Sequence, residues 1–489
     1  MIKYTNKYRI KNIDTHIFII CNDHIKRLKE IVALLNIKSI PKKIYEDIKV
    51  GKDNTFEKKL YIDNYEIIFY FIGKKDKCDL KVLYKIFGEI GVSMYSENKN
   101  IQISLVGTNE NEIKNQVISY ILGYYQFNDF KTNGQIKNKK DTFLYHPKKK
   151  FQKIVNDSII EAGVQNELRS LINTPANILT STTYYKHMKD NINKMGLTKT
   201  TIKVLNEADL KKKGCNLILG VNQGSKNKAM MVILEYKNNP VSNRTIALIG
   251  KGVMFDSGGY NIKGGNFSDM KNDMTGSAIV YGIFKLLEKN NVRGHFIGLL
   301  PLVENMVDSN SIRPGDILSA YNKKTVEIID TDAEGRLIMA DALAYSNNYK
   351  PYLCIDIATL TGQAAQIFGN KSTVIMGNNN KYIQKMIQAG LMNNEKIWEL
   401  PMWEEYVSLT KSNIADLKNY SYESKASTIM AGAFLSQFIP EKAHWMHLDI
   451  AGVDMLTGNT HMRKYGATGE IFRSLLYFLQ NIEKESYEK

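Results

Sequence analysis

Apolar and polar positions fall into two successive regimes along the chain. In the first, 15–20 reads as a strand, 25–35 as an amphipathic helix, and 59–71 as a strand pair around Asp63-Asn64; 80–90 follows as a helix, 101–106 as a strand and 112–125 as a helix. This pattern predicts a small α/β domain over residues 1–150. A polar, lysine-rich stretch at 131–153, carrying Gly134 and Pro147, reads as its boundary, and 151–172 as a connecting helix. From 173 to 489 strands are expected at about 245–250, 293–300, 325–330, 352–358, 372–376 and 445–450. They alternate with helices at 277–287, 337–346, 382–389 and 471–482, which argues for a second, larger α/β domain with a mixed, largely parallel sheet flanked by helices.

Candidate chemistry sits where these strands end. Asp332-Ala333-Glu334-Gly335-Arg336 follows the apolar run 325–329, read as a buried strand, and sets two carboxylates and a guanidinium at alternate positions. Carboxylates this close repel one another unless a cation lies between them. A second acidic cluster follows the strand at 245–250: Lys251, then Asp256 in a glycine-rich segment, then Lys263 and Asp273. Ligands collect beyond the carboxyl ends of strands in open α/β sheets, so the two clusters could share one site. Asp256, Asp273, Asp332 and Glu334 offer enough oxygens for two divalent ions, the clamp of metal-assisted hydrolases acting on a scissile carbonyl.

Each residue alone has a plainer explanation. A single Asp in a glycine-rich loop is most often a turn former or cap, a single lysine is usually a surface group, and Arg336 could simply pair with Glu334. Coincidence accounts for each singly but poorly for the set. Ser257 lacks the G-x-S-x-G elbow of a nucleophile, and Gly250-Lys251-Gly252 lacks the spacing of a phosphate loop. His444 and His447, three apart on an expected strand, would face opposite sides of the sheet and share no metal.

These residues resemble the leucyl (cytosol) aminopeptidases, a family of two-metal exopeptidases. Thr331 to Leu337 looks like the family signature, and the run from Gly250 through Gly259 to Lys263 is similar to its second block. Asn173-Thr174-Pro175-Ala176-Asn177, Arg313-Pro314-Gly315-Asp316, Asp356 to Gly362, His447 to Gly452 and Gly466-Ala467-Thr468-Gly469 also look like family segments in family order. The resemblance spans roughly residues 160–480; the first third of the chain carries no matching motif.

The resemblance implies that one metal is held by Lys251, Asp256, Asp273 and Glu334, and the other by Asp256, Asp332 and Glu334. Lysine coordinates only as the neutral amine, so the cations must drive off its proton. Zinc is the first expected ion, with manganese or magnesium as alternatives. The implied chemistry is attack of a metal-activated water on the first peptide bond, with Lys263 facing the developing oxyanion and Arg336 holding bicarbonate as a proton shuttle. Met270, Thr359, Gly362 and Ala451 match positions lining the family's apolar pocket for the first residue, so leucine and other apolar residues are the expected preference. The implied partners are short peptides with a free amino terminus and further copies of the chain in a homo-hexamer.

Composition adds limits. The 489 residues are 43% hydrophobic and 24% charged, as in ordinary globular chains, and no apolar run approaches a membrane span. The start of the chain lacks the apolar core of a signal peptide, and the four cysteines have no framework spacing, so a cytoplasmic location is expected. The net charge of +16 raises nucleic-acid binding as an alternative, and some bacterial relatives of the family bind DNA; a noncatalytic scaffold of the same fold is a third reading. Because the lysines are spread along the whole chain and every implied ligand is present, neither is favoured.

Some positions depart from the family pattern. Asp330 stands where Asn is usual, Thr275 where Gly is usual, Val307-Asp308-Ser309-Asn310 replaces a Pro-Ser-Gly-Asn run, and 263–273 is one residue short. None removes a ligand. Asp330→Asn is expected to shift the pH or metal profile modestly while turnover persists; complete loss of activity would mark Asp330 as an essential extra ligand.

Overall fold

The computed structural model describes residues 1–21, 24–36, 40–42, 44, 56–62, 65–72, 80–133, 140–240, 244–265, 267–423, 425–460 and 462–482. The turn read at Asp63-Asn64, as well as Gly134 and Cys78, lies outside them. The chain divides into two compact units, Met1–Asn166 with Gly458–Tyr465, and Glu167–Thr457 with Gly466–Lys489. The division falls inside the long helix Gln152–Asn173, the element read as a connection.

The first unit is built on a six-stranded sheet of β1 (Ile2–Thr5), β2 (Thr15–Cys21), β3 (Phe56–Ile62), β4 (Tyr65–Ile72), β5 (Ile101–Ser104) and β6 (Thr142–Tyr145), in the order β1-β6-β5-β2-β4-β3. Every pairing is parallel except that of β3 with β4. Alternate residues of β2 bury on opposite faces, as strand geometry requires. Ile17 and Ile19 join the core under helices Leu80–Met94 and Glu110–Tyr124, whereas Phe18 and Ile20 join the core that includes Leu28 and Ile31 of helix His24–Leu35. Strand β6 lies within the stretch read as a polar boundary. Its four residues, Thr142-Phe143-Leu144-Tyr145, are all buried, an apolar core too short to stand out among flanking lysines.

The second unit carries strands β7 (Thr200–Leu205), β8 (Met230–Asn238), β9 (Thr245–Gly250), β10 (Gly252–Asp256), β11 (Gly294–Asn305), β14 (Pro351–Ala358), β15 (Thr373–Gly377), β16 (Ile397–Glu399) and β18 (His444–Asp449) in one sheet. Its order is β16-β15-β18-β14-β9-β11-β8-β7, with β10 alongside the end of β11. The middle strands β18, β14, β9 and β11 run parallel, and antiparallel pairings flank them. This is the mixed, largely parallel sheet expected from the sequence. Every residue of β9 is buried, consistent with a strand covered on both faces. The helix Thr275–Lys289 packs against the sheet with its first turn hard on the strand ends. A Cβ at Gly276 would stand 2.0 Å from the Ile357 carbonyl oxygen, so only glycine permits that approach.

One strand expectation changes. The run 325–329 forms only the short β13 (Thr325–Glu327), which pairs with β12 (Ile317–Ser319) and β17 (Leu417–Lys418) in a separate three-stranded sheet. Isoleucines 328 and 329 continue the apolar pattern but leave the ladder, because Ile328 bonds back to Asp316 and Ile329 to the Asn419 side chain. A last pair, β19 (Met455–Leu456) and β20 (Gly466–Ala467), completes the strands. His444 and His447 lie on β18; His444 contacts Asn379, and His447 is buried against Asp356. No described helix is long and apolar enough to cross a membrane.

Leu248, fully buried in the middle of β9, tests the importance of this central strand. Leu248→Ala is expected to lower the unfolding free energy by about 2–5 kcal/mol, measured by denaturant titration.

Candidate metal centre

The carboxyl ends of β9, β14, β11 and β18 face the same way, and the chain leaves β9 toward β11 on one side before returning to β14 on the other. This switch point is where open α/β sheets collect ligands. Lys251 is the single residue between β9 and β10. Its amide donates to the Ile357 carbonyl and its own carbonyl accepts from Ser277, so its side chain starts from a fixed base. Asp256 ends β10 opposite Asn305 of β11, and the Asn305 carboxamide donates to Asp256 Oδ1 at 2.8 Å and to the Thr331 carbonyl at 3.1 Å.

After Asp256 the chain reverses through Gly258, whose φ of +89° favours glycine; a Cβ there would also meet the Asn261 carbonyl oxygen at 2.4 Å. Thr331 then lashes this loop to the second acidic segment: its hydroxyl donates to the Gly258 carbonyl at 2.7 Å and accepts from the Asn261 amide at 2.8 Å. Asn419 holds the same segment from the other side. Its carboxamide oxygen accepts from Ile329 N, its amide nitrogen donates to the Asp330 carbonyl, and its backbone carbonyl accepts from Arg336 Nη1.

Glu334 departs from the loop placement expected for the ligands. It opens the helix Glu334–Ser346, which begins three residues earlier than the apolar pattern indicated because Gly335 and Arg336 read as polar. Asp330 is a turn former here: its Oδ1 accepts from the Asp332 amide at 2.8 Å, a bond that an asparagine oxygen makes equally well.

These supports bring the acids together. Oxygens of Asp256, Asp332 and Glu334 lie within 4.8 Å of one another. Lys251 Nζ reaches Asp273 Oδ1 at 2.7 Å, Glu334 Oε1 at 3.0 Å and the Thr359 carbonyl at 2.9 Å. Lys263 Nζ reaches Asp256 Oδ2 at 2.7 Å and Asp332 Oδ1 at 2.5 Å. Lys251, Asp256, Asp273 and Glu334 are buried, while Asp332 is part-exposed. Four carboxylates thus face two ammonium groups. Burial, followed by Glu334 and Asp256 and opposed by Lys251, holds Asp273 well above the usual carboxylate range; burial with Asp256 and Glu334 pushes Asp332 up to about 7. The same acids keep Lys251 and Lys263 strongly protonated although burial acts against their charge.

The cluster lines a cavity of about 230 Å³. Of the site residues implied by the resemblance, all line it except Arg336: Lys251, Asp256, Lys263, Met270, Asp273, Asp332, Glu334, Thr359, Gly362 and Ala451. Arg336 is buried, over the Tyr420 ring at 5.8 Å, and its Nε has no hydrogen-bond partner among the described residues. The residues present fit divalent cations: the charge is in carboxylate excess, the donors are hard oxygens, and the buried Asp273 Oδ2 has no hydrogen-bond partner among the described residues. Asn272, Asn305, Thr331, Asn419 and Asp454 were missed by the motif reading. Only Asp454, an acid three residues after Ala451, carried a charge that could have drawn attention.

Gly335 shows how closely the segments fit. A Cβ there would lie 2.4 Å from Lys251 Cε and 2.6 Å from Nζ, so the lysine crosses where any side chain would stand. Gly335→Ala is expected to weaken metal affinity roughly tenfold or more, measured by calorimetric titration. Unchanged affinity would show that Lys251 can move aside freely.

Comparison with known proteins follows the same outline. Residues 166–476 match the catalytic domain of the cytosol aminopeptidase family. The chain is 38% identical over 303 residues to the "Probable cytosol aminopeptidase" of Cereibacter sphaeroides, covering 62% of this chain and 61% of that protein. It is 33% identical over 426 residues to the like-named protein of Phytoplasma australiense, covering 85% of this chain and 84% of the relative. Thus the match spans about three-fifths of the first relative's length and more than four-fifths of the second's. Among solved structures, the bottromycin maturation enzyme BotP in complex with Mn has a similar fold, with a TM-score of 0.84 at 23% identity, covering 96% of this chain and 99% of that one.

Proposed function

The chain belongs to the cytosol aminopeptidase family, and from that premise we propose that it is a metal-dependent aminopeptidase releasing the first residue of short peptides with a free amino terminus. The observation that carries this reading is the convergence of Asp256, Asp332 and Glu334 within 4.8 Å, in a cavity that Lys251, Lys263 and Asp273 also line. In this proposal Lys251, Asp256, Asp273 and Glu334 would hold one divalent ion and Asp256, Asp332 and Glu334 a second, zinc before manganese or magnesium. Bound there, the ions would supply an activated water and polarise the scissile carbonyl.

The chain's own groups then have distinct tasks. Lys251, ion-paired with Asp273 and Glu334, would serve as a ligand only as the neutral amine, its proton passing to solvent when a cation takes its place among these acids. Lys263, whose ammonium bridges Asp256 and Asp332, stands beside the reacting carbonyl and stabilises negative charge as it develops on oxygen. Arg336, pinned through Nη1 to the Asn419 carbonyl, keeps its Nε for a small anion such as bicarbonate. Met270 and Ala451 give the cavity an apolar wall along which the carbon stem of the first side chain can lie. The homo-hexamer common in the family is part of the same proposal, and light scattering of the purified chain reports it.

Hydrolysis of aminoacyl amides and anilides in the presence of added zinc or manganese, with metal content measured alongside, is the test. Glu334→Ala should abolish turnover, because in this proposal its side chain would serve both ions; near-normal activity in that variant would refute the site.

A further inference from the structure

The cavity contains a fifth acid that the proposed chemistry does not use. Asp454 is 4% exposed and lines the same space as Met270, Ala451 and the carboxylate cluster. Its Oδ2 accepts from the Asn272 carboxamide at 2.6 Å and its Oδ1 from the Gly452 amide at 3.2 Å, so the carboxyl group is held in one orientation. Each acid of the cluster has a lysine within 3.0 Å. Asp454 has no such partner: among the described residues no lysine or arginine forms an ion pair with it, although Lys251 and Lys263 line the same cavity, and Asp449 acts on it as a further acid.

A buried carboxylate without a counter-ion is costly, and burial pushes that of Asp454 up to about 7, against the pull of its hydrogen bonds from Gly452 and Asn272. A turn-forming role uses only the Gly452 contact and gives no reason for the second oxygen to be clamped by Asn272 beside an open cavity. What Asp454 lacks is an ion-pair partner, and in the proposed function the cavity receives the first residue of a peptide.

We propose that Asp454 is a specificity-determining residue of this site, selecting peptides whose first residue is lysine or arginine. The carbon stem lies along Met270 and Ala451, and the ammonium or guanidinium meets the Asp454 carboxylate. This rests on the aminopeptidase reading and replaces the apolar preference implied by resemblance. A cationic side chain brings the carboxylate the counter-ion it lacks, whereas an uncharged one leaves the acid to be neutralised by a proton and gains no ion pair, which favours the basic residue.

The test compares kcat/KM for lysyl, arginyl, leucyl and norleucyl amides, using metal-loaded full-length protein, with Asp454→Asn and Asp454→Leu alongside. Norleucine supplies the lysine stem without its charge. The expected result is a lysine-to-norleucine ratio of about ten or more in the native chain, falling to near one or below in both variants. A native chain that prefers norleucine and leucine, with a ratio the variants leave unchanged, overturns the proposal while leaving the aminopeptidase reading intact. Metal-loaded protein that cleaves none of the amides overturns that reading and this inference together. If a variant fails to fold, the native ratio decides alone.

Discussion

Repulsion among Asp256, Asp273, Asp332 and Glu334 is the strain around which the second unit is organised. Two like charges 4 Å apart repel by about 4 kcal/mol at the effective dielectric of a protein near its surface, and more when buried. Lys251 and Lys263 relieve part of this by sitting between the acids, each touching two of them at 3.0 Å or less. The carboxylates still outnumber the lysines four to two, a balance that suits a divalent cation. It also means that no acid can be placed by its own preference; the surrounding backbone must hold each one in position.

That holding is done by neutral groups. Asn305 ties β11 to Asp256 and to the Thr331 carbonyl, Thr331 ties the glycine turn to the second acidic segment, and Asn419 grips residues 329–336 through both its side chain and its backbone. Glycines 276 and 335 remove the side chains that would otherwise separate helix from strand and lysine from helix. The charged residues supply the site's charge and the uncharged ones its geometry, as hydrogen-bonded neighbours orient acidic side chains. Asp454 stands apart from both groups: a carboxyl group held in place by Asn272 and Gly452, with no ion-pair partner among the described residues.

Much of this was legible before any coordinates. The α/β alternation in both halves follows from local hydrophobic period, and the observed β2, β9, β14 and β18 coincide with apolar runs flanked by polar breaks. The cluster was legible because charged residues recur at close spacing beside glycines, which a turn or helix end must bring together. Short elements were not. Strand β6 is hidden among lysines and the helix start at Glu334 is masked by the glycine and arginine that follow it, whereas β8, nine residues opening on the apolar run Met230 to Leu234, is a readable strand absent from the sequence expectations.

Local order along the chain thus settled which side chains carry the charge and what kind of layers surround them, because period and spacing act over a few residues. It could not settle which sheet receives 325–327, which asparagines brace the acids, or that Asp454 shares a cavity with Lys251. Those outcomes depend on contacts between residues far apart in the chain: 182 positions separate Asn272 from Asp454, and 108 separate Lys251 from Thr359. Such pairings are chosen by the packing of whole strands and helices against one another, and no short window of sequence contains both partners.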